Sequence, residues 1–202
     1  MRIGLDFDNT IVCYEQAIAL LADELFDLPL ELPRTKLGLR NYLRANGREP
    51  EWTQFQGELY GPGMRYAQPY EGAIEAMQQL AVDGHELFII SHRSRRPYAG
   101  PLHDLHKSAL VWVAERLQRN SLFVGGNSTI NFLETRDEKV TCISKLRCHA
   151  FLDDLPEVLL APGFPAQTVG IHFDPSGPLV PNSGCLRIRY WSELSGVLES
   201  VC

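Results

Sequence analysis

The stretch that most constrains the fold is residues 2 to 12, RIGLDFDNTIV. Its apolar residues are typical of a strand buried on both faces of a parallel sheet, but Asp6 and Asp8 interrupt them. Buried carboxylates are costly unless they are paired or bind a cation, so a purely structural strand has little reason to carry two. Side chains at positions i and i+2 of an extended segment point the same way. The two acids can therefore share one cation and one reacting group.

A simpler interpretation is a turn with an exposed carboxylate, since Asn9 and Thr10 suit a turn out of the strand. The rest of the sequence favours a functional site, because three further polar groups accompany apolar runs. These groups are Ser91 after HELFII, Lys139 at the start of KVTCISKLRCH, and the pair Asp153 and Asp154 after AFL.

The apolar periodicity alternates between helical and extended segments. Helices are predicted at 14–26, 71–84, 102–118, 139–149 and 191–200, the last capped by Ser192, and strands at 85–91, 150–154, 168–173 and 186–190. Residues 121–134 contain two β-like runs separated by Gly125, Gly126 and Asn127, and either run can be the sheet strand. The order predicts an α/β, Rossmann-like core with a parallel sheet flanked by helices. Its ligand site should lie beyond the carboxyl ends of the strands.

Composition limits the partners. The chain of 202 residues has 19 basic and 25 acidic residues, a net charge of −6, so no chain-wide positive field favours nucleic acid or an anionic membrane. The apolar runs are shorter than a membrane span, and no signal-like segment precedes the first strand. Five cysteines without a CxxC pair indicate reduced thiols. We expect a cytoplasmic protein with neither nucleic-acid nor membrane partners; the sequence leaves the oligomeric state open.

The polar groups, in this order along the chain, resemble the motifs of the haloacid dehalogenase (HAD) superfamily of aspartate-nucleophile phosphatases, with DFDNT as the first motif. The resemblance covers residues 1–12 and about 69–173. It implies a HAD-like core made of residues 1–12 and 69–202. Residues 13–68 would then be a small, mainly helical cap inserted after the first motif, because a simple crossover between strands needs only a dozen or more residues.

The resemblance also implies catalytic roles. Asp6 would attack phosphorus as the nucleophile, and Asp8 would protonate the leaving oxygen and then deprotonate water. Ser91 would hydrogen-bond a phosphoryl oxygen. Lys139 would neutralise charge between the nucleophile and the phosphoryl group, with Lys145 as the second choice.

The same resemblance implies a magnesium site. Asp6, Asp8 through its backbone carbonyl, and Asp154 would bind the metal, while Asp153 and Thr10 would support these ligands without touching it. Carboxylate and carbonyl oxygens suit a hard cation such as Mg²⁺, which would stay partly hydrated.

Substrate contacts are expected at the end of the second strand. The predicted substrate-binding residues are Ser91, His92, Arg93 and Lys139. Arg93, Arg95 and Arg96 form a basic cluster directly after the strand, and it is either a solvated loop or the place where one arginine binds a substrate anion.

The predicted function is a Mg²⁺-dependent phosphatase that hydrolyses a small phosphorylated metabolite, a sugar phosphate or a nucleotide, through an aspartyl-phosphate. Asp8 favours phosphoryl transfer over dehalogenation, because a departing halide needs no proton. Two alternatives stay open, a phosphomutase or phosphotransferase with the same intermediate and a non-catalytic HAD-like binding or regulatory protein. The complete set of motif residues argues against the second of these.

Overall fold

The structure is a computed structural model that describes residues 1–124, 129–177 and 185–200. The chain divides into two compact units. The first contains Met1–Val12, Pro69–Arg93 and the described residues from Leu117 onward, and the second contains Cys13–Gln68 and Ser94–Arg116.

The first unit is built on a six-stranded sheet. Its strands are β1 (Arg2–Leu5), β4 (Glu86–His92), β5 (Ile130–Leu133), β6 (Ala150–Asp153), β7 (Val169–Phe173) and β8 (Leu186–Ile188). Their order in the sheet is β5-β4-β1-β6-β7-β8, and every neighbouring pair is parallel. The prediction of a Rossmann-like α/β fold with a parallel sheet is confirmed.

Strand β1 lies between β4 and β6, with Leu5 opposite Ile89 on one side and Leu152 on the other. A glycine in β1 permits this close packing, because a Cβ at Gly4 would collide with the ring of Phe151. The carboxyl ends of these three strands therefore meet at one edge of the sheet, where a ligand site is expected.

Helices cover the sheet of the first unit. They are α4 (Ala73–Val82), α6 (Arg136–Lys145), α7 (Pro156–Leu159) and α8 (Leu194–Ser200), with 3₁₀ turns at Gln118–Asn120 and Trp191–Glu193. Helices α6 and α7 pack through Val140, Ile143 and Val158 onto a core that includes Phe88 and Phe151 of the sheet. Helix α4 contacts β4 and packs against α8.

The second unit is mainly helical. Its helices are α1 (Glu15–Leu25), α2 (Lys36–Ala45), α3 (Glu49–Tyr60) and α5 (Leu105–Arg116), with a 3₁₀ helix at Pro62–Tyr66. Trp52 stacks on Phe55 with ring centroids 5.7 Å apart, and the indole N–H of Trp112 donates to the carbonyl of Ala67 at 3.0 Å. Two short strands, β2 (Val12–Cys13) and β3 (Gln68–Pro69), form a separate two-stranded sheet.

The division into units differs from the predicted domains in one segment. The prediction assigns residues 94–116 to the core, whereas the structure groups Ser94–Arg116 with Cys13–Gln68. The physical reason is the packing of α5 against α3 and the 3₁₀ helix Pro62–Tyr66.

Two helix starts also differ from the prediction. Helix α6 begins at Arg136, three residues early, because Thr135 and Glu138 form a capping box. Lys139 therefore lies inside the helix. At the C-terminal helix, Ser192 is not the cap because it lies within the 3₁₀ turn Trp191–Glu193. The backbone N–H groups of Arg189 and Tyr190, just before this turn, donate to the Glu193 carboxylate.

The strand predicted within residues 121–134 is β5, Ile130–Leu133, at one edge of the sheet. Gly125, Gly126 and Asn127 of the same prediction lie outside the described residues. None of the helices in the described ranges has the length and apolar character needed to cross a membrane.

Candidate active site

The loop after β1 carries the first two acids. Asp6 follows β1 directly, is 3% exposed, and donates its backbone N–H to the carbonyl of Leu152 at 2.8 Å. Asn9 adopts a left-handed conformation with φ 58°, which asparagine tolerates better than most residues. The N–H of Ile11 closes the turn on the carbonyl of Phe7 at 3.1 Å. The turn predicted for Asn9 and Thr10 thus directly follows the two acids.

Lys139 connects two of the predicted motifs. It is fully buried, and its Nζ lies 2.5 Å from Oδ1 of Asp6 and 2.6 Å from Oδ2 of Asp153. Burial lowers the pKa of the lysine, but the carboxylates of Asp6 and Asp153 more than offset this and raise the pKa above its usual range. The ammonium therefore stays charged between the two acids.

The two acids that follow β6 have different environments. Asp153 is fully buried, pairs with Lys139 through Oδ2, and accepts the Leu155 N–H through Oδ1 at 2.9 Å. Among the described residues no side chain or backbone group pairs with the Asp154 carboxylate. The backbone of Asp154 is held instead, because its N–H donates to Oγ1 of Thr10 at 3.1 Å.

Both acids have raised pKa values. For Asp153 the causes are burial and then the charge of Asp6, with Lys139 acting in the opposite direction. For Asp154 the causes are burial and then the charges of Asp6 and Asp153. Asp154 is thus a partly buried acid beside like charges, and no described cationic side chain pairs with it, so a bound cation would relieve this repulsion.

The acids converge closely enough to bind one metal ion. Carboxylate oxygens of Asp6, Asp153 and Asp154 lie within 4.8 Å of one another. Hard oxygen ligands of this kind fit Mg²⁺. The predicted ligands Asp6 and Asp154 belong to this group, and Asp153 joins them although its Oδ2 is already paired with Lys139.

Arg93 contacts an acid of the site. It is 8% exposed, and its Nη1 lies 3.3 Å from Oδ1 of Asp8, which is half-buried. The guanidinium also lies 5.9 Å from the ring centroids of both Phe7 and Phe132. Burial, an ion pair and two rings hold Arg93 in one place, so it orients the Asp8 carboxylate.

The other two arginines of the basic cluster belong to the second unit. Arg95 pairs with Asp104 at 3.0 Å, and Arg96 donates to the carbonyl of Leu102 at 3.0 Å. The cluster that is continuous in sequence is therefore divided, and Arg93 is its only member in the described part of the first unit.

Ser91 and His92 end strand β4. Ser91 is buried, whereas His92 is half-buried and its Nδ1 has no hydrogen-bond partner among the described residues. Burial and then the charge of Lys139 lower the pKa of His92. His92 borders a cavity of about 360 Å³, whose other lining residues are Thr135, Arg136, Asp137, Leu155, Glu157 and Val158.

The two candidate lysines have different surroundings. Lys139 contacts the predicted nucleophile, whereas Lys145 is exposed at the end of α6. Two residues beside the site are not among the predicted ones. His172 of β7 has its Nε2 3.1 Å from the Asp154 carbonyl, and the indole N–H of Trp191 donates to the Thr10 carbonyl at 3.1 Å. The available signal for His172 was a single histidine near the end of the otherwise mostly apolar run TVGIHF.

Adjacent parallel strands thus end in an acid, a hydroxyl and an acid pair, and a buried lysine lies between the acids. Comparison with known proteins shows which proteins share this fold. No protein-family model matches the chain, and no curated protein matches it either.

Solved structures do match along almost the whole chain. A HAD-superfamily hydrolase from Ehrlichia chaffeensis has a TM-score of 0.59 and 12% identity, covering 99% of this chain and 96% of its own. A HAD family hydrolase from Deinococcus radiodurans, with bound phosphate and sodium, has a TM-score of 0.56 and 17% identity, covering 99% and 95%. The HAD-hydrolase YfnB from Bacillus subtilis, bound to magnesium, has a TM-score of 0.59 and 13% identity, covering 98% and 97%. The chain therefore has the fold of the HAD-superfamily hydrolases, as its motifs predicted.

Proposed function

We propose that the protein is a Mg²⁺-dependent phosphatase that hydrolyses a small phosphorylated metabolite, of the sugar phosphate or nucleotide class, through an aspartyl-phosphate on Asp6. The observation that carries the proposal is the position of Lys139. It binds Oδ1 of Asp6 and Oδ2 of Asp153, while the Asp154 carboxylate has no charged partner among the described residues. A buried lysine held in this way orients the nucleophile and leaves its Oδ2 for attack.

In the first step, Oδ2 of Asp6 attacks phosphorus and the bond between phosphorus and the ester oxygen breaks. Asp8 gives its proton to that leaving oxygen. Arg93 contacts Oδ1 of Asp8 and so fixes the direction of the acid. The products of this step are the free alcohol and phosphorylated Asp6.

In the second step, a water molecule gives a proton to Asp8 and its oxygen attacks phosphorus. The bond between phosphorus and Asp6 breaks, which releases inorganic phosphate and restores the Asp6 carboxylate. Lys139 stays beside Asp6 in both steps and stabilises the negative charge on the Asp6 carboxylate and on the phosphoryl group attached to it.

Asp6, the backbone carbonyl of Asp8 and Asp154 would hold the Mg²⁺ ion, supported by Asp153 and Thr10. When bound, the ion would supply charge stabilisation for the phosphoryl group. Support for this choice comes from the convergence of the acidic oxygens within 4.8 Å and from the raised pKa of Asp154. Two proteins of similar fold are a magnesium complex and a complex with phosphate and sodium.

The phosphoryl group would be bound by Ser91, His92 and Lys139. Ser91 and His92 end β4, the strand next to β1, and Lys139 already contacts the nucleophile. These contacts would suit a small molecule with one phosphate group.

The test is phosphate release from a panel of sugar phosphates and nucleotides, with Mg²⁺ or with EDTA. Dehalogenation is tested by measuring chloride release from chloroacetate. Phosphomutase activity is tested by looking for isomers of each phosphate ester among the products. Two Asp→Asn variants are compared with the wild type. Asp6→Asn should abolish release, whereas Asp83→Asn, an exposed position after α4, should leave it unchanged.

We expect inorganic phosphate from at least one small ester, dependent on Mg²⁺ and on Asp6. Chloride release without phosphate release would replace the proposal with dehalogenation. An isomeric ester without net phosphate release would replace it with a mutase. Activity that persists in Asp6→Asn would overturn the mechanism.

A further inference from the structure

Strand β7 carries a buried histidine beside the acidic motif. His172 lies opposite Asp153 in the parallel pairing of β6 and β7 and is 6% exposed. Its neighbours along the chain, Ile171 and Phe173, are buried apolar residues. A histidine at this position therefore calls for a reason other than the apolar pattern of the strand.

The ring makes one polar contact with the residues that the structure describes, and that contact defines its tautomer. Nε2 of His172 lies 3.1 Å from the carbonyl oxygen of Asp154, and a carbonyl only accepts, so Nε2 carries the hydrogen. Nδ1 is buried and has no hydrogen-bond partner within the described ranges. A buried nitrogen without a partner costs free energy, which a phenylalanine of similar shape would avoid. What the histidine adds to the site is the hydrogen bond from Nε2.

That hydrogen bond completes a clamp on one residue. Thr10 accepts the N–H of Asp154 at 3.1 Å, and His172 donates to its carbonyl at 3.1 Å. Thr10 is itself held by the Trp191 indole, which donates to its carbonyl at 3.1 Å. The peptide groups on both sides of the Asp154 Cα are therefore fixed, while the carboxylate between them has no partner among the described residues.

We propose that His172 is a positioning residue that holds the Asp154 peptide so that the carboxylate points toward Asp6 and Asp153. The part of this inference that concerns Mg²⁺ rests on the proposed function, whereas the part that concerns the Asp154 peptide does not. Groups that orient a metal ligand are commonly worth about 10–100-fold in metal affinity.

Three substitutions separate positioning from simple packing. His172→Gln can place its amide N–H at the position of Nε2 and keep the donor. His172→Asn reaches only the position of Nδ1 and loses the contact. His172→Phe keeps the ring and removes every donor.

The first measurement is calorimetric titration of the full chain with Mg²⁺ at one pH. We expect His172→Gln to bind within about threefold of the wild type, and His172→Asn and His172→Phe to bind about 10-fold or more weakly. If His172→Phe bound Mg²⁺ as tightly as the wild type, the claim that His172 increases Mg²⁺ affinity would be overturned. An equal loss of affinity in all three variants would also overturn it.

The second measurement needs no metal and no activity. Hydrogen exchange of a peptide covering residues 153–158 is compared between the metal-free wild type and the three variants. Exchange should accelerate in His172→Phe and His172→Asn but not in His172→Gln, while peptides from α4 stay unchanged as the control for global opening. Unchanged exchange in His172→Phe would overturn the positioning role.

The two measurements also distinguish this inference from the proposed function. If the wild type fails to bind Mg²⁺, the proposed cofactor is wrong, and the exchange data alone decide whether His172 positions Asp154. If the wild type binds Mg²⁺ but exchange and affinity do not change in His172→Phe, the phosphatase proposal stands and the clamp is rejected.

Discussion

The site has two parts that differ in how negative charge is compensated. We call Asp6, Lys139 and Asp153 the lysine side, and Asp8 and Asp154 the acid side. On the lysine side all three residues are buried and the ammonium lies within 2.6 Å of a carboxylate oxygen of Asp153 and at 2.5 Å from one of Asp6. On the acid side both residues are half-buried, Asp8 has a longer contact to Arg93 at 3.3 Å, and the Asp154 carboxylate has no charged partner in the described chain.

This difference indicates which charged groups are paired within the protein and which would be paired by a bound ligand. The lysine side is internally paired, so it stays in place before substrate arrives and costs no reorganisation during reaction. The acid side carries excess negative charge in a partly buried place, which favours a cation and a proton donor there. Breaking the lysine side should therefore damage the fold, whereas changing the acid side should damage function with little effect on the fold.

The largest expected effect is from Lys139→Met. Removal of the ammonium leaves Asp6 and Asp153 facing each other as uncompensated buried charges, and the loss of one partner from a buried pair typically costs about 3–5 kcal/mol. The free energy of unfolding, measured in urea at neutral pH, should fall by that amount and activity should vanish. The matched control is Lys145→Met in the same helix, where the exposed side chain should change stability by about 0.5 kcal/mol or less. Equal effects of the two substitutions would contradict the role given to the lysine side.

Asp8→Asn tests the acid side. It should leave the free energy of unfolding within about 1 kcal/mol of the wild type, since Asp8 is half-buried, while kcat falls about 10²–10⁴-fold. An ester with a very good leaving group, such as p-nitrophenyl phosphate, should lose much less in the first step because its leaving oxygen needs no proton. An equal loss for good and poor leaving groups would argue against Asp8 as the acid.

The two sides also differ in how far the sequence predicts them. Asp6 and the acid pair could be located because each follows a buried strand, and the carboxyl ends of parallel strands meet. Lys139 could be located as the lysine of the site through the family pattern. Its simultaneous contact with Asp6 and Asp153 could not, because the contact joins residues that lie far apart in sequence.

Other parts of the prediction failed for local reasons. The predicted start of α6 lies three residues late, although Thr135 and Glu138 have the spacing of a capping box. The apolar pattern of residues 102–118 predicts a helix but not its packing partner, so the predicted core boundary differs from the grouping of Ser94–Arg116 with the second unit. The sequence places Arg93 after a strand, yet only the fold shows that it contacts Asp8.

Substitutions of Asp153 and Asp154 should have different effects, because these adjacent acids belong to the lysine side and the acid side respectively. Asp154→Asn removes a carboxylate that has no charged partner in the described part of the chain, so Mg²⁺ affinity should fall about 10-fold or more while metal-free stability is unchanged or higher. Asp153→Asn removes a partner of Lys139, so metal-free stability should fall by about 1–3 kcal/mol. Calorimetric titration and urea unfolding measure the two quantities on the same samples. If Asp153→Asn lost Mg²⁺ affinity and Asp154→Asn lost metal-free stability, the roles given to the two acids would have to be exchanged.

The smallest expected effect is a pH dependence that belongs to the acid side. The pKa of Asp154 is raised in the folded chain by burial and by its acidic neighbours, so the folded state binds more protons than the unfolded state above the ordinary Asp value of about 4. Metal-free stability from this group is therefore present at low pH and is lost as the pH rises toward and through the raised pKa.

Bound Mg²⁺ should reverse that loss, because the cation favours the ionised acid and displaces its proton. The increase in Tm on adding Mg²⁺ should therefore be larger at pH 8 than at pH 5.5 in the wild type and in Asp83→Asn. In Asp154→Asn the Mg²⁺-induced shift should be smaller and should change less with pH, since the titrating carboxylate is gone. A shift that is independent of pH in the wild type, or equally dependent on pH in Asp154→Asn, would mean that the excess charge of the acid side does not reside on Asp154.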